Sequence, residues 1–141
     1  MPLIDTLLQN SISPEHKAII QMLISESVAA HLDPIFIVSI ATLESGLNPY
    51  VVGDNYQSFG LFQLNVHGEL GKLTPDEAFD PLINTQTALK YIAKYYTPGL
   101  DPGHNAANCQ RPKYRELYAM TVNAMYPLVK QLLNKLGVYH G

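Results

Sequence analysis

One acidic side chain is the strongest candidate for chemistry in this sequence. Glu44 is the only charged residue within residues 34–46, a segment otherwise dominated by apolar side chains. Apolar neighbours disfavour ionisation of a carboxyl group, and the negative end of a helix dipole repels a carboxylate, so both effects raise the pKa of Glu44. A carboxylic acid that stays protonated near neutral pH is the general acid that cleavage of a glycosidic bond requires. The alternative is a solvent-exposed glutamate at the end of a helix.

Other groups are weaker candidates. Glu26 also precedes a serine, but it lies mid-helix with no glycine after it, which favours a solvent-facing position. His67 with Glu69, and His104 with Cys109, fall short of three convergent ligands, so we expect neither a metal ion nor another cofactor. Cys109 has no identifiable histidine base, which argues against a cysteine nucleophile.

Proline residues mark the starts of the helices that must position Glu44. Proline suits the first helical position, and in four places it follows a residue that can cap a helix. These pairs are Ser13-Pro14, Asp33-Pro34, Thr74-Pro75 and Asp80-Pro81. We predict a first long helix that ends near residue 31 and a buried central helix over residues 34–45. Gly46 and Pro49 end the central helix.

The middle of the chain predicts one small β region. Residues 48–65 contain the turn-forming run Gly53-Asp54-Asn55, which favours a short hairpin or an irregular loop. The pattern elsewhere is helical, and no repeat or interdomain linker is visible. The sequence therefore predicts a mainly helical single domain over residues 1–141.

Three more elements follow the β region. Thr74 and Glu77 form a capping-box pattern, and the helix that Asp80 begins ends before Pro98. Residues 98–112 predict a loop long enough to be functional. A last helix begins near residue 113, and Pro127 should break or kink it near residue 123.

The amino-acid composition indicates a globular domain and excludes several classes of protein and partner. The chain has 141 residues, of which 47% are hydrophobic and 15% charged, as expected for one globular domain. Nine Lys and Arg against twelve Asp and Glu give a formal charge of −3, which argues against a nucleic-acid partner. The single cysteine excludes an internal disulfide. We expect no membrane insertion and no signal peptide, because apolar runs are short and a basic start is missing.

Two segments carry a resemblance to a known enzyme family. They are Glu44-Ser45-Gly46-Leu47-Asn48-Pro49 and Phe59-Gly60-Leu61-Phe62-Gln63-Leu64. They resemble the catalytic Glu-Ser segment and the Gly-Leu-Met-Gln segment of the soluble lytic transglycosylases, which are related to goose-type lysozyme. Asp33-Pro34 and residues 80–92 extend the resemblance over about residues 30–125. It implies a mainly α, lysozyme-like α+β fold with a cleft beside the β region.

The resemblance implies roles for further residues. Ser45 and Gln63 would line the cleft, Phe62 would replace the family's methionine, and Tyr118 matches the cleft tyrosine of the final motif. Gly60 would let the backbone approach a sugar ring or the catalytic carboxyl group. The alternatives for Gly60 and Tyr118 are an ordinary hairpin glycine and a packing tyrosine.

The family's Ala-Tyr-Asn motif has no direct counterpart here. The nearest match is Ala106-Ala107-Asn108, in which Ala107 stands in place of the aromatic residue. Either another tyrosine, such as Tyr56 or Tyr114, replaces that side chain, or the glycan binds differently. We expect Asn108 and Tyr56 to contribute to substrate binding.

The resemblance implies action on the glycan strands of peptidoglycan. A lytic transglycosylase cleaves the bond between N-acetylmuramic acid and N-acetylglucosamine with one glutamate, here Glu44, and forms a 1,6-anhydro sugar without water. The near alternative is hydrolysis, with Asp54 as the second carboxylate. A third hypothesis is a non-catalytic glycan-binding structural component.

The expected setting follows from the location of peptidoglycan outside the membrane. A chain made in the cytoplasm without an export signal fits a bacteriophage lysis protein or virion component, and a secreted effector is the alternative. We expect a monomer or a part of a phage particle.

Overall fold

A computed structural model describes residues 2–141 of the chain. Within them the chain forms seven helices and three short strands. In chain order these are α1 (Pro2–Gln9), α2 (Pro14–Ala29), α3 (Pro34–Ser45), β1 (Val52–Gly53), β2 (Ser58–Phe59), β3 (Leu64–Asn65), α4 (Pro75–Ala78), α5 (Pro81–Tyr95), α6 (Pro102–Gln110) and α7 (Arg115–Leu136). The predicted fold class, a mainly helical α+β arrangement with a small β region, is confirmed.

Helix α3 lies at the centre of the fold, packed against α2 and α7. Ten of its twelve residues are buried, as its apolar circumference predicts. The hydroxyl groups of Ser39 and Thr42 donate to carbonyls one turn earlier, so burial leaves neither unsatisfied. Gly46 ends the helix in the left-handed conformation at φ 62°. The predicted central helix is confirmed in both its position and its termination.

The helix caps that the sequence predicts all form. The side chains of Ser13, Asp33 and Asp80 each accept a hydrogen bond from a backbone amide of the first turn. Thr74 and Glu77 complete a capping box, each bonding the backbone amide of the other. These contacts fix where α2, α3, α4 and α5 begin.

The three strands form an antiparallel sheet in the order β1-β2-β3, and one buried amide joins it to the helices. Nδ2 of Asn84, on α5, donates to the carbonyls of Phe59 at 3.0 Å and Ala78 at 2.8 Å. Its Oδ1 accepts from the amide of Phe62 at 3.0 Å. Gly60 has a positive φ of 79°, and a side chain there would overlap both Asn84 and the Ala78 carbonyl. The glycine is required by this packing.

Two helices were not expected from the sequence. Helix α1 buries Ile4 and Leu7 in the core, and the ammonium group of Lys135 on α7 donates to carbonyls at its end. The prediction of a loop over residues 98–112 is wrong for residues 102–110, which form α6. The composition of α6 is typical of a loop, but tertiary contacts stabilise it as a helix.

Of the break or kink predicted for the last helix, the break is wrong, because α7 continues through Pro127. Proline has no N–H to offer the carbonyl of Asn123 one turn earlier. Both residues are exposed, so water can solvate that carbonyl and the helix loses little. None of the helices within residues 2–141 is both long enough and apolar enough to span a bilayer.

Replacement of Asn84 by Ala should destabilise the fold strongly. It leaves the buried groups of Phe59, Phe62 and Ala78 without their partner, at about 1–3 kcal/mol for each unsatisfied group. We expect the free energy of unfolding, measured by urea denaturation, to fall by at least about 2 kcal/mol. The exposed Asn134 provides the control, since Asn134→Ala should change stability by less than about 0.5 kcal/mol. Equal effects of the two substitutions would contradict this role of Asn84.

Candidate active site

A cleft of about 600 Å³ lies beside the small sheet. Its walls come from the end of α3, the β region with the loop after it, helix α5, and the α6–α7 junction. The lining residues are mostly polar: Glu44, Asp54, Ser58, Gln63, Asn65, His67, Gly68, Glu69, Tyr91, Gln110, Arg111, Pro112, Lys113 and Tyr118. A cleft of this size and polarity suits a sugar chain better than an apolar ligand.

Glu44 lies in the last turn of α3, where the buried helix reaches the cleft. Its side chain is half-buried, and the hydroxyl of Tyr118 donates to its Oε2 at 2.7 Å. The side-chain amide of Gln110 lines the cleft close by and lowers the pKa of this carboxyl group. Helix α7, which is distant in sequence, therefore holds the carboxyl group that α3 presents, and the end of α6 lies close to it.

The surroundings of Glu44 raise its pKa above the ordinary 4.5. Burial is the largest cause, because it removes water from the charged form. The hydrogen bonds from Tyr118 and Gln110 stabilise the anion and act in the opposite direction, whereas the negative charges of Asp54 and Glu69 add to the increase. The net result is a carboxyl group that holds its proton at a pH where an exposed glutamate has lost it.

Two tyrosine hydroxyls in the cleft remain protonated. Burial raises the pKa of both Tyr91 and Tyr118 well above 10, and the carboxyl group of Glu44 adds to the increase for each. Tyr118 donates to Glu44, and Tyr91 donates to Oε1 of Gln110 at 2.9 Å. Both therefore serve as hydrogen-bond donors.

Asp54 also lines the cleft, in the turn between β1 and β2. The hydroxyl of Ser58 donates to its Oδ2 at 2.6 Å, and Nδ2 of Asn65 donates to that hydroxyl oxygen at 3.0 Å. Asp54, Asn55 and Tyr56 have consecutive positive φ angles of 51°, 54° and 66°. Non-glycine residues adopt this conformation at a cost, and such strain concentrates at functional sites.

An ion pair borders the cleft at the α6–α7 junction. Arg111 ends α6 in the left-handed conformation, and its guanidinium group donates to Glu69 in the loop after β3. The ion pair joins the two walls. Lys113 adds a second cationic side chain to the lining.

The structure brings four of the predicted site residues together in the cleft: Glu44, Asp54, Gln63 and Tyr118. Gln63 has φ 50°, and its Nε2 donates to the carbonyls of Val51 and Gly60, both at 3.0 Å. Its side chain thus ties the cleft wall to the residue that precedes strand β1.

The other predicted residues do not line this cleft. Ser45 is buried and its hydroxyl donates to the Ala41 carbonyl at 2.9 Å, while Phe62 is fully buried in the core. Gly60 is buried against Asn84 and Ala78. The remaining two lie outside the cleft: Tyr56, at 84% exposure, and Asn108, which accepts a hydrogen bond from Arg115 beside a second, smaller pocket.

Sequence reasoning missed Tyr91 and Gln110. Tyr56 and Tyr114, which is 65% exposed, do not line the cleft, whereas Tyr91 does. Tyr91 carried a signal, since it lies within the helix segment that resembles the family. Gln110 carried none, because the segment around it was interpreted as a loop.

Metal ligands show no comparable grouping. Within residues 2–141, no three His, Cys, Asp or Glu side chains lie close enough together to hold a metal ion. Burial raises the pKa of the Cys109 thiol to about 11, so it remains protonated and unreactive.

Comparison with known proteins agrees with the geometry. No curated protein matches the chain. A family model described as the transglycosylase SLT domain matches residues 21–109, which include Glu44, Gln63 and Tyr91 and cover more than half of the sequence. The family comprises glycosidases of the lytic-transglycosylase type that act on peptidoglycan. The chain belongs to this transglycosylase SLT domain family.

Proposed function

We propose that the protein is a peptidoglycan lytic transglycosylase in which Glu44 is both the general acid and the general base. The observation that carries the proposal is the half-buried Glu44 carboxyl group, bonded to the Tyr118 hydroxyl and opening into a polar cleft. Its raised pKa supports the acid role. Tyr118 and Gln110 support the base role, because their hydrogen bonds stabilise the carboxylate that remains after proton transfer.

The proposed reaction needs one carboxyl group and no water. Glu44 first donates its proton to the oxygen that bridges N-acetylmuramic acid and N-acetylglucosamine, and the bond from the anomeric carbon to that oxygen breaks. The Glu44 carboxylate then takes the proton from the 6-hydroxyl of the muramoyl residue. The freed 6-oxygen bonds to the anomeric carbon, which gives a 1,6-anhydro end and restores the protonated Glu44. Because the nucleophile belongs to the substrate, orientation in the cleft supplies much of the rate.

Hydrolysis with Asp54 as the second carboxylate is the alternative. The position of Asp54 in the cleft, its hydrogen bond from Ser58 and the strained turn that holds it all favour this possibility. An inverting hydrolase needs its two carboxyl groups about 6.5–9.5 Å apart, with water between them. The two reactions leave different muramoyl ends, so product analysis separates them. A bacteriophage or effector setting and a non-catalytic binding role stay predictions.

Glu44→Gln should reduce activity severely, since glutamine cannot donate or accept the transferred proton. We expect the rate of release of anhydromuropeptides from purified peptidoglycan to fall by about 10²–10⁴-fold. Mass spectrometry of the wild-type digest should show products lighter by one water than the hydrolysis products. Glu26→Gln, at the other Glu-Ser pair, is the matched control and should retain full activity. A wild-type protein that binds glycan without cleaving it, or an active Glu44→Gln variant, would exclude the proposal.

The pH dependence of kcat/KM should follow the protonation of Glu44 in the free enzyme. Because the pKa of Glu44 is raised above 4.5, activity should persist above that pH and decline as the pH rises through the raised value. Further charged or titratable groups line the cleft, namely Asp54, His67, Glu69, Tyr91, Arg111, Lys113 and Tyr118. His67→Gln is the control, and it should leave this declining limb of the pH profile of kcat/KM in place. If the declining limb disappears in this variant, it belongs to the histidine and not to Glu44.

Asp54→Asn distinguishes the two reactions. In a transglycosylase, loss of this charge should reduce the rate by less than about tenfold and leave the anhydro products unchanged. The declining limb should move to lower pH, because the negative charge of Asp54 contributes to the raised pKa of Glu44. Loss of activity by about 10²-fold or more, together with reducing muramoyl ends in the wild-type digest, would instead support hydrolysis.

A further inference from the structure

The side chain of Gln110 lies where three other elements meet. It is the last residue of α6, and its Oε1 accepts the hydrogen bond from Tyr91 on α5. Its Nε2 donates to the carbonyl of Phe62, in the segment between β2 and β3, at 3.3 Å. The same amide lines the cleft close to Glu44 on α3, near enough to stabilise the charged form of its carboxyl group. One neutral side chain therefore connects the candidate catalytic residue to two other walls of the cleft.

The directions of these bonds determine which end of the amide faces Glu44. An amide oxygen only accepts hydrogen bonds and an amide nitrogen only donates them. The Tyr91 hydroxyl keeps its proton and donates it to Oε1, while one N–H of Gln110 points to the Phe62 carbonyl. The second N–H is then available to Glu44. Without Tyr91, the amide could rotate and present its oxygen, which a carboxylate repels.

The backbone of Gln110 is held as firmly as its side chain. The next residue, Arg111, ends α6 with φ 50°, and its backbone amide donates to the Ala107 carbonyl at 2.9 Å. At the other end of α6, the amide of Gly103 donates to Oδ1 of Asn123 on α7 at 2.7 Å. A side chain at Gly103 would overlap the Ala119 carbonyl, so α6 and α7 are in direct contact. The position from which Gln110 extends is thus fixed relative to Tyr118.

We propose that Gln110 is a positioning residue that presents its amide N–H to the Glu44 carboxyl group, and that Tyr91 orients Gln110. With Tyr118 as the second donor, the carboxyl group is held at two points and cannot rotate freely. The arrangement keeps the carboxylate aimed into the cleft between the acid and the base steps. The inference rests on the proposed function of Glu44, and it assigns Gln110 and Tyr91 an action through that residue rather than on the substrate.

Kinetics on purified peptidoglycan test the proposal through two variants and their combination. Gln110→Met keeps the side-chain volume but loses the donor, so kcat should fall about tenfold while KM changes less than about twofold. The declining pH limb should move to higher pH, because the lost hydrogen bond had stabilised the carboxylate. Tyr91→Phe should lower kcat by a smaller factor. The double variant should match Gln110→Met alone, since Tyr91 acts only through Gln110.

Tyr95→Phe is the matched control, because Tyr95 lies on the same helix at 42% exposure and outside the cleft lining. It should leave kcat and the pH limb unchanged. Full activity with an unmoved limb in Gln110→Met would overturn the role of Gln110. If the loss of kcat in the double variant is the product of the losses in the two single variants, the role of Tyr91 is overturned.

A second measurement requires no turnover, so it separates this inference from the proposed function. In the ¹⁵N-labelled full chain, the side-chain amide resonances of Gln110 should shift with pH as Glu44 titrates. The shift should disappear in Glu44→Gln and persist in Glu26→Gln. In Tyr91→Phe, which removes one oxygen atom from the protein, the amide should lose its single orientation and its response to Glu44 should weaken. If the side-chain amide resonances of Gln110 do not shift as Glu44 titrates in the wild-type protein, the proposal is contradicted even if the enzyme is active.

Discussion

The candidate active site depends on an energetically unfavourable arrangement at the end of the central helix. Helix α3 is buried along almost its whole length, and its one charged residue, Glu44, emerges where the helix meets the cleft. Burial raises the pKa of that carboxyl group, so the folded chain holds the proton more tightly than the unfolded chain does. As the pH rises from 4.5 through the raised pKa, Glu44 therefore subtracts from the free energy of unfolding. Hydrogen bonds from Tyr118 and Gln110 offset part of this cost.

The sheet and the other helices hold the residues around Glu44 in fixed positions. Asn84 attaches the sheet to α5, and the resulting wall carries Gln63 and Asp54. On the other side, Asn123 of α7 donates to Asp101 and accepts from Gly103, which ties α7 to the start of α6. His104 of α6 strengthens this connection, because its ring lies between the carboxyl groups of Asp101 and Glu116. The hydrogen bonds to Glu116 and Asp101 raise the pKa of His104. The helices that bear Gln110 and Tyr118 are thus joined before they reach the cleft.

Local signals in the sequence were sufficient for much of the fold. Cap residues followed by proline predicted the starts of α2, α3, α4 and α5, and Gly46 predicted the end of α3, because each depends on backbone chemistry within a few residues. Helix α6 was missed although Asp101-Pro102 repeats the same signal. Gly103 and Asn105 suggested a loop, yet Gly103 is needed for contact with Ala119, and Asn105 exchanges hydrogen bonds with the backbone of Thr97. Both residues are present because of these tertiary contacts, which a local sequence pattern does not show. Gln110 was missed for the same cause, since its role depends on where α6 packs.

The proposed chemistry depends on the ionisation of a single carboxyl group. The most direct measurement is a ¹³C NMR titration of the Glu44 side chain in the intact protein, with Glu44→Gln used to assign its resonance. We predict that its midpoint lies clearly above 4.5, because burial outweighs the hydrogen bonds that Tyr118 and Gln110 donate. A midpoint at or below 4.5, as for a solvent-exposed glutamate, would contradict the account.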